Sequence, residues 1–135
     1  LGVTKDEVEG VKWSQKAAEQ GNASAQLSLG FGHLNGRGVT KDEVEGVKWF
    51  RKSADQGDAM AQFNLAGCYS FGTGVAKDEV EAVKRYRKSA EQGYAMAQFN
   101  LGVCYRNGTG VAKDEVEAVK WYRLAAEQGH HTAQF

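Results

Sequence analysis

Neither sign of charge predominates in this chain. Seventeen Lys and Arg residues face 17 Asp and Glu residues among 135, and the formal net charge at pH 7 is zero. No net field draws such a chain to a polyanion, so nucleic acid and anionic membrane surfaces are disfavoured as partners. Long apolar runs are missing too. None approaches the roughly 20 residues of a membrane-spanning helix, and the chain does not open with the basic, apolar and small-residue order of a secretory signal. A soluble chain without membrane insertion is expected, with no compartment assigned. Cysteine occurs only at Cys68 and Cys104, and no Cys/His cluster has the spacing of metal ligands. A structural zinc site is therefore unsupported, and neither metal nor cofactor is expected.

What the chain does contain is one phrase, four times. Gly2-Val3-Thr4-Lys5-Asp6-Glu7-Val8-Glu9 returns in closely similar form at Gly38 to Glu45, Gly74 to Glu81 and Gly110 to Glu117, an interval of 36 residues. A period of this size marks stacked supersecondary units that are individually too small to bury an apolar face. The expected organisation is one repeat array over 1–135, with the last copy cut short. Because Leu1 lies inside the phrase and is not Met, the sequence reads as a piece of a longer protein. Cys68 and Cys104 are repeat equivalents. Packed layers lie about 10 Å apart, beyond the roughly 7 Å Cα separation that a disulfide spans, so the two thiols are expected to stack unpaired.

Glycine punctuates each period into two segments. Pairs stand at Gly36/Gly38, Gly72/Gly74 and Gly108/Gly110, and single glycines at Gly21, Gly57, Gly93 and Gly129. Segment B, roughly Asp42 to Gln56 in the second copy, opens with Asp followed three residues later by Glu: Asp6/Glu9, Asp42/Glu45, Asp78/Glu81 and Asp114/Glu117. That is a capping-box pattern for a helix start, and Gly57 suits a left-handed helix end. At 100° per residue Val44, Val47, Phe50 and Ala54 share one face, widened by Gly46, Trp49 and Ser53. Segment A, about Asp58 to Phe71, repeats Ala61, Gln62, Phe63, Leu65 and Tyr69 on one broad side. The recurrence of Gly30, Ala66 and Gly102 there predicts close approach of helices A and B, since helical glycine costs about 1 kcal/mol relative to alanine.

The residues Ala61-Gln62-Phe63-Asn64-Leu65, Tyr69, Gly72-x-Gly74-Val75, Asp78, Glu81-Ala82, Tyr86, Ala90 and Gly93 resemble the Sel1-like repeat, a relative of the tetratricopeptide repeat. The likeness extends over the whole chain. It implies an all-α solenoid, a right-handed superhelix of antiparallel helix pairs with helix A on the concave side, and a scaffold or adaptor role in assembling protein complexes. Some members pair cysteines within each repeat, a pattern this chain lacks. The first copy departs most: Ser14 replaces the B aromatic and His33 the A tyrosine, while in the third copy Arg85 replaces the Trp found at Trp13, Trp49 and Trp121.

Differences among the copies point to function. Positions needed for stacking repeat, whereas Ser24, Ser28, Phe31 and Asn35 and their equivalents vary within a strip about 60° wide on helix A. The equivalents are Met60, Asn64, Gly67 and Phe71, then Met96, Asn100, Val103 and Asn107. Ser28, Phe31, Met60, Asn64, Phe71, Met96, Asn100, Val103 and Asn107 are the candidate contacts for a protein or extended peptide in the groove. Asn64 and Asn100 supply a donor and an acceptor each for a peptide main chain, and Met60 and Met96 adapt to apolar side chains. Solvation or bonding within the array is the competing reading for the asparagines, and packing between repeats for the methionines. Arg37 and Arg106 are read as partners of terminal carbonyls.

Catalysis finds no support. Gly36-Arg37-Gly38 is preceded by no strand and followed by no Walker-type Lys-Ser/Thr, so a tight turn explains it. The repeated acids are caps, His33 is a semi-buried singleton, and the adjacent His130 and His131 do not share a helix face. No nucleophile, base and orienting group assemble. The chain is read as a non-enzyme. The second expectation is self-association, since both ends of the array present an apolar stacking face.

Overall fold

The computed structural model describes residues 4–133, with side chains from 4 to 129. Seven helices follow one another: α1 (Lys5–Glu19), α2 (Ala23–Asn35), α3 (Glu43–Asp55), α4 (Ala59–Phe71), α5 (Glu79–Glu91), α6 (Ala95–Asn107) and α7 (Glu115–Ala133). The described residues contain no strand. Each helix packs chiefly on its neighbours in sequence, as a solenoid of helix hairpins requires. The even-numbered helices are the A segments and the odd-numbered ones the B segments.

Glycine ends each A helix. Gly36, Gly72 and Gly108 take left-handed conformations with φ of 70°, 71° and 67°, and their amides donate to the carbonyls of Gly32, Cys68 and Cys104. Only a residue without Cβ adopts this geometry freely. The second glycine of each pair is needed for space as well. A Cβ on Gly74 (φ +71) would fall on the backbone carbonyl of Glu43 and lie 2.8 Å from Val47 Cγ2.

The predicted acidic caps form in part. Asp42, Asp78 and Asp114 accept hydrogen bonds from the amides of Glu45, Glu81 and Glu117 at 3.1, 3.0 and 3.0 Å. The three glutamates do not complete a box but lie beside Lys48, Lys84 and Lys120 at 3.7, 3.9 and 3.4 Å. The first copy differs from the expectation of an Asp6/Glu9 box. There the full box is Thr4/Glu7, and α1 begins two residues earlier in the phrase. In the later copies the amides of Asp42, Asp78 and Asp114 are held by carbonyls of the preceding A helix, at His33, Tyr69 and Tyr105. No A helix precedes α1 among the described residues, so the helix winds back to Thr4.

The core is built of recurring positions. Phe50, Leu29, Leu65, Leu101, Ala61 and Ala97 have no exposed surface. The tight A–B contact is real: a Cβ on Gly46 would lie 2.9 Å from the Gly30 carbonyl, and one on Gly30 would lie 2.6 Å from the Phe50 ring. Val44 departs from the expected apolar face. It is 56% exposed, and Val80 and Val116 are exposed likewise. They sit in the first turn of a B helix at the edge of its buried arc: at 100° per residue Val44 falls about 60° outside the arc of Gly46, Val47, Trp49, Phe50, Ser53 and Ala54.

Buried polar groups tie successive helices together. Gln26, Gln62 and Gln98, all nearly inaccessible, donate through Nε2 to the carbonyls of Ala18, Ala54 and Ala90 at 3.1, 2.6 and 3.2 Å. Each thereby adds a second hydrogen bond to a last-turn carbonyl of the preceding B helix that also accepts from the amide of Gly21, Gly57 or Gly93. Ser53 and Ser89 donate to the carbonyls of Ala23 and Ala59. Arg51 and Arg87 donate to the hydroxyls of Tyr69 and Tyr105 at 2.7 and 2.6 Å.

One junction is built differently. Gln56 and Gln128 donate through Nε2 to the Oε1 atoms of Gln26 and Gln98, both at 2.8 Å. The corresponding Gln92 turns to the Lys88 carbonyl of its own helix at 3.4 Å. Arg85, which replaces the tryptophan, has taken the place: its Nη1 is 3.5 Å from Gln62 Oε1 and 3.7 Å from Asp55, and its Nε donates to Glu81 at 3.2 Å. Trp49 and Trp121 are buried at the equivalent sites with no hydrogen-bond partner for Nε1. An ion-paired junction thus stands where the other two bury a tryptophan.

Gly129 does not break its helix as Gly21, Gly57 and Gly93 do. Those three take φ values of 94°, 94° and 91°, and the glutamine of the following A helix hooks the turn from beyond. Gln134, the residue at the hook position, lies outside the described residues. Along α7 the helix continues through Gly129 to Ala133, where helical glycine costs only about 1 kcal/mol.

Candidate interaction surface

Each A helix keeps one face clear of its neighbours. Ser24, Ser28 and Asn35 on α2 are exposed, as are Met60 and Phe71 on α4 and Met96 and Asn107 on α6. Phe71 is 81% exposed, more than Met60 or Met96. A Cβ placed on Gly67 would meet nothing within 4 Å, so the face is free around it. Asn64, Asn100 and Val103 are half-buried along the same line. Phe31 is half-committed to the core, its ring meeting Phe50 edge-on with centroids 5.1 Å apart.

The two asparagines are engaged differently. Asn64 Nδ2 donates to the Met60 carbonyl of its own helix at 2.8 Å. Asn100 hydrogen-bonds with the hydroxyl of Tyr86, which Ser70 also meets. Burial pushes that phenol above its usual range, and the two hydrogen bonds draw it partly back. Neither amide is therefore wholly uncommitted, and the two are not equivalent.

Beside this strip, an open groove of about 710 Å³ runs between α6 and α7. One wall is Met96, Asn100, Val103 and Asn107, with Arg106 at its edge; the other includes Phe99, Tyr122, Ala125 and Ala126. Phe99 and Tyr122 pack with ring centroids 5.5 Å apart. Four residues of the strip read from sequence thus meet in one groove. The aromatic wall is absent from that reading because recurrence assigns Phe63 and Phe99 to stacking. Among the described residues no helix lies over Phe99, which is 53% exposed.

Chemistry is sparse elsewhere. Cys68 and Cys104 are free, and burial pushes the Cys68 thiol up to about 11, with the nearby Glu43 carboxylate adding to the rise. Burial raises Cys104 as well, with Glu79 contributing. Such thiols are neutral and poor nucleophiles at pH 7. No group of three or more His, Cys, Asp or Glu residues suited to a metal occurs among the described residues, and no helix among them is long and apolar enough to cross a membrane. The His130 and His131 side chains lie outside the described residues.

Four Sel1 repeats match in succession, at residues 1–22, 23–58, 59–94 and 95–130. The chain belongs to the Sel1 repeat family. The Sel1 unit runs from an A helix to the following B helix, so α2 with α3, α4 with α5 and α6 with α7 are its hairpins. Sel1 repeats are generally protein-interaction modules, and the fold is generally a non-enzymatic scaffold.

Solved Sel1 structures superpose closely on this one. A protective antigen present in uropathogenic Escherichia coli strains, displaying the same repeat fold, shares 45% identity over 88% of this chain and 26% of its own length, with a TM-score of 0.86. A Sel1 repeat protein from Oxalobacter formigenes shares 42% identity over 95% of this chain and 52% of its own, with a TM-score of 0.87. The chain spans about a quarter and about half of those two proteins. Helicobacter pylori cysteine-rich protein B, at 24% identity and a TM-score of 0.74 over 95% of this chain and 92% of its own, shares the fold alone. No curated protein matches the chain.

Proposed function

We propose that this Sel1 array is a scaffold whose A-helix strip holds a protein partner, taken as an extended segment. One observation carries the reading: Met60, Phe71 and Met96 remain exposed on the face where the copies differ, while most of the apolar residues that repeat on the A helices are spent on the core. Flexible thioethers and an open phenyl ring adapt to apolar side chains of different shapes. The partly engaged amides of Asn64 and Asn100 add polar contacts for its main chain. Peptides selected from a displayed random library on the intact chain test this. Their affinity is expected to fall about tenfold or more in a Met60→Ala, Phe71→Ala, Met96→Ala triple variant, a loss of roughly 1.4 kcal/mol or more. The thermal midpoint should stay unchanged, and undiminished peptide binding would place the site elsewhere.

Self-association is a second reading, favoured by Trp13. Its ring is 71% exposed beside a groove of about 550 Å³ that Val8, Val11 and Val39 also line. Sedimentation over a wide concentration range is expected to show a dimer that Trp13→Ser removes, and a single monomer species throughout would end the idea.

A further inference from the structure

Gly67 is a glycine that the fold does not require. It lies inside helix α4, and glycine is the poorest helix former after proline. Crowding explains other helical glycines: a Cβ on Gly30, Gly46 or Gly102 would lie 2.6, 2.9 or 2.8 Å from its nearest neighbouring atom. At Gly67 a Cβ would meet nothing within 4 Å. Gly10 and Gly129 are open in the same way, but they repeat the positions of Gly46, which is crowded, and Gly57, which takes a φ of +94°. The equivalents of Gly67 are Phe31 and Val103, so neither packing nor recurrence accounts for it.

Phe31 shows what this position can hold. Its ring meets Phe50 of the following B helix edge-on, with centroids 5.1 Å apart and planes at 75°. One 36-residue interval on, Gly67 stands for Phe31 and Tyr86 for Phe50. Tyr86 is buried, with Phe63 against it at a centroid distance of 5.8 Å and its hydroxyl bonded by Asn100 and Ser70. No ring takes the place of Phe31. Phe63 does not close the gap either, since none of its atoms comes within 4 Å of where a Cβ on Gly67 would stand.

The result is a notch in the exposed strip, with α2 on one side of α4 and α6 on the other. Asn64 stands three residues before Gly67 and Phe71 four residues after it, on the same face of the helix. Phe71 leaves its ring almost wholly open to a ligand. A second ring seated in the notch would gain the edge-on contact that aromatic pairs favour, with the Asn64 amide within reach of the main chain that carries it. On α2 the equivalent space holds the chain's own Phe31, and on α6 it holds the branched side chain of Val103.

We propose that the Gly67 notch is the anchor point of the strip and takes an aromatic side chain of the bound segment, seated toward Tyr86 as Phe31 is seated on Phe50. The proposal rests on the strip being a peptide-binding surface, and it adds the class of residue that the surface selects and the helix that selects it.

Random peptides displayed on phage and selected on the intact chain test it, with affinities measured by fluorescence anisotropy. The selected peptides are expected to share an aromatic residue at one place, and changing it to Ala should weaken binding about tenfold or more. Gly67→Phe supplies the ring from within and should weaken the same peptides about tenfold; on that variant, loss of the peptide's aromatic residue should cost nothing further. Gly67→Val is the second filling variant, since Val103 already coexists with Phe99 as it would with Phe63, and the same direction is expected. Gly67→Ala should raise the thermal midpoint, because its methyl has free space in a helix that gains from it. Peptides that lose affinity on the Met60→Ala, Phe71→Ala, Met96→Ala chain but keep it on both filling variants would overturn the notch and leave the strip standing. Peptides with no shared aromatic residue would overturn the notch as well, as would a lowered midpoint for Gly67→Ala, since the fold would then require the glycine. A selection that yields no binding peptide would overturn the notch and the strip together.

Discussion

Gly74→Ala is expected to destabilise the array by about 3 kcal/mol or more, measured by urea unfolding. Two costs combine. A φ of +71° strains any residue with a Cβ, by about 1–2 kcal/mol. The added methyl would also press on the Glu43 carbonyl, with the carbonyl carbon at 2.7 Å and Val47 Cγ2 at 2.8 Å, and a helix backbone yields far less readily than a side chain. Gly57→Ala is the control. Its φ of +94° is as strained, yet a Cβ there meets nothing within 4 Å, so only about 1 kcal/mol should be lost. Equal losses at the two sites would mean that helix α3 does not press on the turn as described.

Phe50→Ala should cost about 3–5 kcal/mol, because the ring has no exposed surface and occupies the space that Gly30 leaves. Phe31 would lose its edge-on partner as well. The glycine makes a sharper test. Gly30→Ala in the native background forces its methyl to within 2.6 Å of the ring and should destabilise by about 1–3 kcal/mol. In the Phe50→Ala background that methyl enters a cavity, and the same change should be neutral or stabilising. A double-mutant cycle from urea unfolding would thus show strong coupling, and additive losses would refute the pairing of small and large residues across the helices.

Much of this was legible in the sequence because it repeats. A residue that returns every 36 positions must satisfy the same surroundings each time, so the glycine turns, the acidic caps and the buried Leu29, Leu65 and Leu101 could be read from recurrence alone. Recurrence misleads where surroundings differ. Val44, Val80 and Val116 recur yet face water, since they lie just outside the arc of the B helix that the neighbours bury. The repeated phrase also predicted the same start for α1 as for α3, but Thr4 is the cap of α1, whose loop meets no A-helix carbonyl among the described residues. Gly129 carries the turn signal of Gly57, yet helix α7 continues through it to Ala133. Arg85 was visible as a departure. That it detaches Gln92 from Gln62 needed coordinates, because a competition between two donors for one oxygen leaves no trace in spacing. At the candidate surface, variation found Met60, Met96 and Phe71, whereas the Phe99 and Tyr122 wall was hidden among residues assigned to the core.

The side-chain hydrogen bonds that join one helix to another have a short reach. The glutamine hooks span 8 residues, the Arg–Tyr pairs 18, the serine bonds 30, and the longest, from Gln56 to the Gly21 carbonyl, 35. All fall within one period. Duplication or loss of a whole 36-residue stretch of coding sequence would therefore leave each surviving donor an equivalent acceptor in the copy brought beside it. Unequal recombination can lengthen or shorten such an array without redesigning its interior, and selection can then act on a single position such as Arg85 to make one junction unlike the next.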